Sequence, residues 1–270
     1  MRYQILVLDL DGTLTNSKKE ITQPTLEALI DIQKNGKKVV LASGRPINGV
    51  RPLAEKLHLQ KYGGYMLSFN GARITNCATG EIIYNRTLPL DITQTVFDIV
   101  KSFDGLDIVT YDSERIISGI EPNYYDGLES KINNMEIHSI DDFVAYVKEP
   151  VNKFLITGEP TIILEAEETL KKKFHSFLNV YKSEPYFLEV MPRNIDKAYS
   201  LQKLLSSLGL TADEMICCGD GFNDLTMIEY AGLGVAMANA QDLIKDSADF
   251  ITKSNDEDGV LHVIETFMRD

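Results

Sequence analysis

Cysteine is scarce: the 270-residue chain has three, Cys77, Cys217 and Cys218. An odd count with two neighbours inside an apolar run gives no disulfide framework, and burial as small hydrophobes is the expected role. No C-x-x-C pair occurs, and His58, His138, His175 and His262 are scattered, so the spacing of a zinc site is missing. Positive charge is also short, with 27 basic against 40 acidic residues and a net charge of −13. That balance repels a nucleic-acid backbone and gives no attraction to an anionic membrane. No apolar run approaches the ~20 residues of a spanning helix. The opening MRYQILVLDLDG has one basic residue and a short apolar run broken by Asp9 and Asp11. It lacks the layout of a signal peptide, and a cytoplasmic location is the expectation. An anionic small molecule is compatible with such a chain only where the site supplies its own positive charge, through a metal ion, a lysine or aimed backbone amides.

What is present is ample apolar content, 44%, enough for one large domain or two moderate ones. Ile5–Leu8 is a continuous apolar run closed by Asp9-Leu10-Asp11-Gly12, as where a buried strand meets a loop. Pro24–Lys34 carries Leu26, Leu29, Ile30 and Gln33 at helical spacing, with Thr22 as N-cap and Asn35-Gly36 as stop. Val39–Ala42 follows as another strand, ending in Ser43-Gly44-Arg45-Pro46. Strand, helix, strand is the mark of a parallel βαβ unit. The alternation returns near the C-terminus: Ala198, Leu201, Leu204, Leu205 and Leu208 share a helical face, Gly209 stops it, and Met215–Cys218 runs into Gly219-Asp220. Gly234–Met237 and Phe250–Thr252 read as further strands. From about residue 83 to 190 the pattern changes, with strands at Ile116–Ser118, Phe154–Thr157 and Phe187–Val190 and helices at Thr93–Phe103 and Thr161–Phe174. The expected architecture is α/β: a Rossmann-like core with a parallel sheet, residues 1–82 and 191–270, and an inserted α+β domain, residues 83–190. Ligands of open α/β sheets bind at the carboxyl ends of the strands.

Four polar clusters follow predicted strands or open helices: Asp9-Leu10-Asp11-Gly12-Thr13, Ser43-Gly44-Arg45, Lys197, and Gly219-Asp220-Gly221-Phe222-Asn223-Asp224. Converging ionised, Asp9, Asp11, Asp220 and Asp224 would repel one another, which calls for a cation or a proton. Magnesium suits an all-oxygen set that also meets a phosphate. Ser43 and Lys197 add a hydroxyl donor and a compact positive charge, and Gly12, Gly44, Gly219 and Gly221 let backbone amides approach an anion. A carboxylate can attack phosphorus while a second, two residues on, protonates the leaving oxygen, roles that suit Asp9 and Asp11. Each cluster has a plainer alternative. Asp9–Gly12 could be a turn, Ser43–Arg45 a strand-to-helix connection, Lys197 a solvated helix residue, and Asn223-Asp224 a helix cap. All four in one order is what those alternatives fail to explain.

In that order the motifs resemble the haloacid dehalogenase (HAD) superfamily, and within it the Cof-type sugar-phosphate phosphatases. The DxDGT motif appears as Asp9–Thr13 after Ile5–Leu8, the second motif as Leu41–Pro46, the third-motif lysine as Lys197, and GDGxND as Gly219–Asp224. Phe69-Asn70-Gly71-Ala72 and Gly234–Ala240 are similar to further stretches of the same group. One departure is Ala198, where glycine usually follows the lysine. The resemblance implies a nucleophilic Asp9, an acid/base Asp11, and Mg²⁺ held by Asp9, the Asp11 carbonyl and Asp220, with Asp224 orienting the site. It further implies a phosphoryl group held by Ser43, Gly44, Lys197 and Asn223, and a C2-type cap that sets specificity. The expected activity is hydrolysis of small phosphate monoesters, sugar phosphates foremost. A phosphomutase or a non-catalytic sugar-phosphate sensor are the alternatives. Arg45, Asn70 and Arg193 are polar candidates to which the sequence assigns no role, and it leaves the oligomeric state open.

Overall fold

Residues Ile5–Leu8 are buried at all four positions, the condition in which a continuous apolar run forms a strand covered on both faces. Leu6 and Leu8 enter one core cluster while Ile5 and Val7 enter another, as the two-residue period of a strand demands. A computed structural model describes residues 2–112 and 114–269. They divide into two units, one built from the residues up to Tyr84 with those from Asp196 onward, the other from Asn85–Ile195.

The first unit begins with β1 (Ile5–Leu8) and α1 (Gln23–Lys34). The Thr22 side chain accepts the Thr25 amide and Pro24 lies in the first turn, both favourable at a helix start. After Asn35 and Gly36, whose φ is +84°, come β2 (Lys38–Ala42), α2 (Ile47–Lys56), α3 (Leu59–Tyr62), β3 (Tyr65–Ser68), β4 (Arg73–Asn76) and β5 (Ile82–Asn85). β2 and β3 run parallel to their predecessors. β4 runs antiparallel to β3. The sheet is therefore not wholly parallel, because only the turn Phe69–Ala72 joins these two strands and a parallel crossover needs a dozen or more residues.

The second unit contains α4 (Thr93–Lys101), β6 (Asp107–Tyr111), β7 (Arg115–Ser118), α5 (Tyr124–Asn133), β8 (Glu136–Ser139), α6 (Phe143–Tyr146), β9 (Phe154–Thr157), α7 (Pro160–Phe174), β10 (Leu178–Glu184) and β11 (Phe187–Pro192). Its strand order is β10-β11-β9-β6-β7-β8, with β7 and β8 parallel and the other pairs antiparallel. One face carries Ile108, Ile156 and Leu188 against α4 and α7. The other carries Val109, Leu155 and Phe187, with Tyr125 and Leu128 of α5 packed on them.

Two carboxyl groups, Asp107 and Asp126, lie fully buried in this second unit. Ser118 Oγ donates to Asp107 (2.5 Å) and Thr157 Oγ1 to Asp126 (2.7 Å), while Asp107 Oδ1 also accepts the Ile108 and Ile120 amides. Burial, then the neighbouring Asp107 charge, push Asp126 up to about 7 from 3.8. Asp107 is also raised, by burial against the bonds it accepts. A carboxyl whose folded pKa is raised contributes stability that is full below the unfolded value and lost as pH rises through the folded one. The thermal midpoint of the wild type should therefore fall relative to that of Asp107→Asn as pH is raised from about 4 to about 7. Asparagine there retains an acceptor for the two amides and removes the charge beside Asp126. Parallel pH profiles for the two proteins in thermal melts would refute the account in which the buried Asp107 charge raises Asp126.

Returning to the first unit, α8 (Lys197–Leu208) is capped by the Asp196 side chain and stopped by Gly209 at φ +67°. β12 (Met215–Gly219), α9 (Leu225–Tyr230), β13 (Leu233–Ala236), α10 (Asp242–Ser247), β14 (Phe250–Ile251) and α11 (Gly259–Phe267) follow. The sheet order is β14-β13-β12-β1-β2-β3-β4-β5. Successive strands proceed from β1 toward β5 on one side and from β12 toward β14 on the other. The order reverses beside β1, and a reversal of this kind opens a crevice at the carboxyl ends of the strands.

Candidate active site

Asp9 follows β1, Ser43 follows β2, Asp220 follows β12, and Lys197 is the first residue of α8. The β1–β12 pairing continues one residue further, since the Asp9 amide donates to the Cys218 carbonyl (3.0 Å). Lys197 is entirely buried rather than solvated, although it opens a helix. Its Nζ donates to Asp9 Oδ1 (2.7 Å), to Asp224 Oδ1 (2.5 Å) and to the Ala42 carbonyl (2.9 Å). An ammonium has three protons, and these three acceptors match them, so its charge is buried with a full set of partners. Burial works against that charge, but Asp224 and Asp9 outweigh it and hold Lys197 protonated above its ordinary range.

Asp224, which accepts from Lys197, is also fully buried. Its Oδ2 accepts the amides of Asp220 and Gly221, both at 3.0 Å. This carboxylate therefore ties the Gly219–Gly221 turn to Lys197. Asp220 accepts from Thr13 Oγ1 (2.8 Å), and Gly12, at φ +87°, lies so close that a Cβ there would collide with the Asp220 carboxylate. A side chain at residue 12 is excluded twice, by conformation and by space.

Asp9, Asp220 and Asp224 each offer an oxygen within 4.8 Å of the others. Ionised together, three carboxylates around the single Lys197 ammonium leave an excess of two negative charges. The strain shows at Asp9 and Asp220. Burial first, then Asp224, raise Asp9 well above the usual carboxylate range, against the pull of Lys197. Burial likewise pushes Asp220 up to about 6, with Asp224 adding to it and Thr13 opposing it. A hard divalent cation would offset this excess, and the donor set is all oxygen. Asp224 is the member with least to give, because both its oxygens already accept strong bonds, which leaves Asp9 and Asp220 as the residues best able to hold an ion.

Asp11 has a different environment. Its carboxylate is gripped by Arg45 through Nε (2.8 Å) and Nη2 (2.6 Å), and by Lys19 Nζ (2.8 Å). Burial would raise its pKa, but the bonds and charge of Arg45, aided by Lys19, outweigh burial and hold it below the usual value. Ser43 is buried and its hydroxyl accepts the Arg45 amide (3.1 Å). The Asn223 side chain donates to Asn70 Oδ1 (3.1 Å). Arg45 and Asn70 thus join the cluster through contacts that the sequence reading does not assign, whereas Arg193 belongs to the second unit, where it donates to the His175 and Ser176 carbonyls.

A largely parallel core sheet with an α+β insertion, and a buried carboxylate–lysine cluster at the strand ends, define a phosphoryl-transfer type of α/β enzyme. The family model of the haloacid dehalogenase-like hydrolases matches residues 6–264, and the chain belongs to that family. It is similar to the crystal structure of a haloacid dehalogenase-like hydrolase from Bacteroides thetaiotaomicron, at 45% identity and a TM-score of 0.95, covering 98% of this chain and all of that one. TM0651 from Thermotoga maritima is similar at 29% identity and a TM-score of 0.90, with 99% of this chain and 98% of that one covered. Among curated relatives, the Bacillus subtilis (strain 168) 5-amino-6-(5-phospho-D-ribitylamino)uracil phosphatase YcsE is 30% identical over 97% of this chain and 94% of its own length. The chain is a phosphatase of the haloacid dehalogenase-like hydrolases, Cof type.

Proposed function

We propose that the protein hydrolyses small phosphate monoesters, sugar phosphates foremost, with magnesium and through an aspartyl-phosphate on Asp9. The observation that carries this reading is the fully buried Lys197 ammonium bonded at once to Asp9 and Asp224. Such a pair fixes a carboxylate in place and keeps a positive charge where a phosphoryl group would arrive. YcsE is named for a phosphorylated ribityl compound, which favours a sugar-like ester as the substrate class.

In this mechanism Asp9 attacks phosphorus, the ester oxygen leaves with a proton from Asp11, and the phosphoryl group rests on the Asp9 carboxylate. Asp11, now ionised, then takes a proton from a water molecule as the water oxygen attacks the same phosphorus; the bond from phosphorus to Asp9 breaks, which frees the Asp9 carboxylate and releases phosphate. Ser43, Gly44, Lys197 and Asn223 hold the transferring group, and Asp224 orients Lys197 and the Asp220 loop. Magnesium bound by Asp9, the Asp11 carbonyl and Asp220 would neutralise charge on the phosphoryl oxygens. The inserted unit, Asn85–Ile195, takes the role of a cap that selects the leaving group.

Phosphate release from a broad panel of phosphorylated metabolites, run with magnesium or with chelator, tests the proposal. Magnesium-dependent release with preference for sugar phosphates is expected. Binding of a sugar phosphate with no release anywhere in the panel would reject hydrolysis.

A further inference from the structure

Phe69 and Asn70 both have left-handed backbone, at φ +53° and +52°, and Gly71 follows at +100°. The left-handed region costs an ordinary L-residue about 1–2 kcal/mol; asparagine tolerates it, while a buried phenylalanine seldom adopts it. Two such residues in succession persist only where their surroundings hold them.

The surroundings are the phosphate-holding segments themselves. The Phe69 amide donates to the Arg45 carbonyl (3.0 Å) and the Asn70 amide to the Ser43 carbonyl (2.9 Å), which ties the turn to the loop after β2. The Asn70 side chain lies against Gly44, where a Cβ would stand 3.0 Å from Oδ1 and 3.2 Å from Nδ2. The same Oδ1 accepts from Asn223. Gly71 packs on the start of α8, where a Cβ would collide with Ser200 Oγ and the Asp196 carbonyl. One short turn therefore touches the Ser43–Gly44 loop, the Asn223 side chain and the helix start that carries Lys197.

We propose that Asn70 is a positioning residue for phosphoryl transfer, its amide holding Asn223 and closing against Gly44 so that the two loops share one register. This rests on the phosphatase reading above. The strained backbone is what brings the Asn70 side chain between the two loops. Gly71 is constrained to glycine both by its φ and by the approach of α8.

Asn70→Gly isolates the side chain, because glycine adopts the left-handed backbone without penalty. With p-nitrophenyl phosphate as probe, the variant is expected to melt within a few degrees of the wild type. Its kcat/KM should fall about tenfold, with a matching loss in inhibition by orthovanadate. In a double-mutant cycle, Asn70→Gly added to Asn223→Ala should cost little beyond Asn223→Ala alone. Unchanged kcat/KM and vanadate inhibition in Asn70→Gly, or fully additive losses in the cycle, would overturn the assignment while leaving the phosphatase reading intact. Absence of turnover by the wild type would overturn both.

Discussion

Lys197→Met is expected to lower kcat by about a thousandfold, the upper range for removing one donor to transition-state charge, and to destabilise the fold by about 3–5 kcal/mol. The side chain is fully buried, and its three bonds go to Asp9, Asp224 and the Ala42 carbonyl. Methionine fills similar volume but leaves two buried carboxylates with no counter-charge, which is costlier than the pair itself was worth. The loss has a pH signature. Burial and Asp224 already raise Asp9, with Lys197 opposing them, so removing the lysine raises it further. Folding of the variant then favours protonated carboxyls, and the sign follows: stability is greatest below the unfolded carboxylate pKa of about 4 and is lost as pH rises. Thermal melts of Lys197→Met should fall more steeply than those of the wild type between about pH 4 and pH 8. Matching melting curves at every pH would show that Lys197 does not balance this cluster.

Asp11→Asn is expected to reduce turnover of alkyl phosphates by about 10² to 10⁴, the usual range for a lost general acid and base. The more telling result concerns p-nitrophenyl phosphate, whose leaving group needs no proton. Its first step should survive while water attack on the phosphorylated Asp9 is slowed, giving a burst of about one equivalent of p-nitrophenol. Arg45 and Lys19 bear on this role, because against burial they hold Asp11 as a carboxylate, the form that acts as base. To act as acid, Asp11 must take up a proton and loosen this grip. Lys19 is the contact more readily shed, being 64% exposed against 16% for Arg45. Equal slowing of both substrates with no burst would place Asp11 outside proton transfer.

The parts of the site that were legible from sequence are those with local signatures. Asp9 was marked by the apolar run before it, and Asp220 by the glycines around it, because a buried strand running into a polar loop is written in consecutive residues. Thr22, Asn35-Gly36 and Gly209 likewise signalled helix ends through backbone chemistry. The Asp11–Arg45 pair and the Asn70–Asn223 bond had no such signature, since each joins residues brought together only when the strands align. Asn70-Gly71 did carry a short-range turn signal, and it marks the β3–β4 hairpin that the expectation of a parallel sheet overlooked. Asp224 was open to reading as a cap for α9, whereas its carboxylate faces back to the Asp220 and Gly221 amides. In the second unit, α5 leaves no clear helical pattern in the sequence, because Gly127 and several polar residues interrupt its apolar face. The Asp107–Asp126 pair was invisible because a buried acid looks like a surface acid until its neighbours are known.

The most direct measurement is rapid acid quench of the wild type during turnover, followed by mass spectrometry of its peptides. A phosphoryl group on Asp9, present with magnesium and substrate and absent from Asp9→Asn, is the predicted result. Rapid phosphate release with no phosphoryl group on Asp9 at any time of quench, or one on a different side chain, would contradict the mechanism.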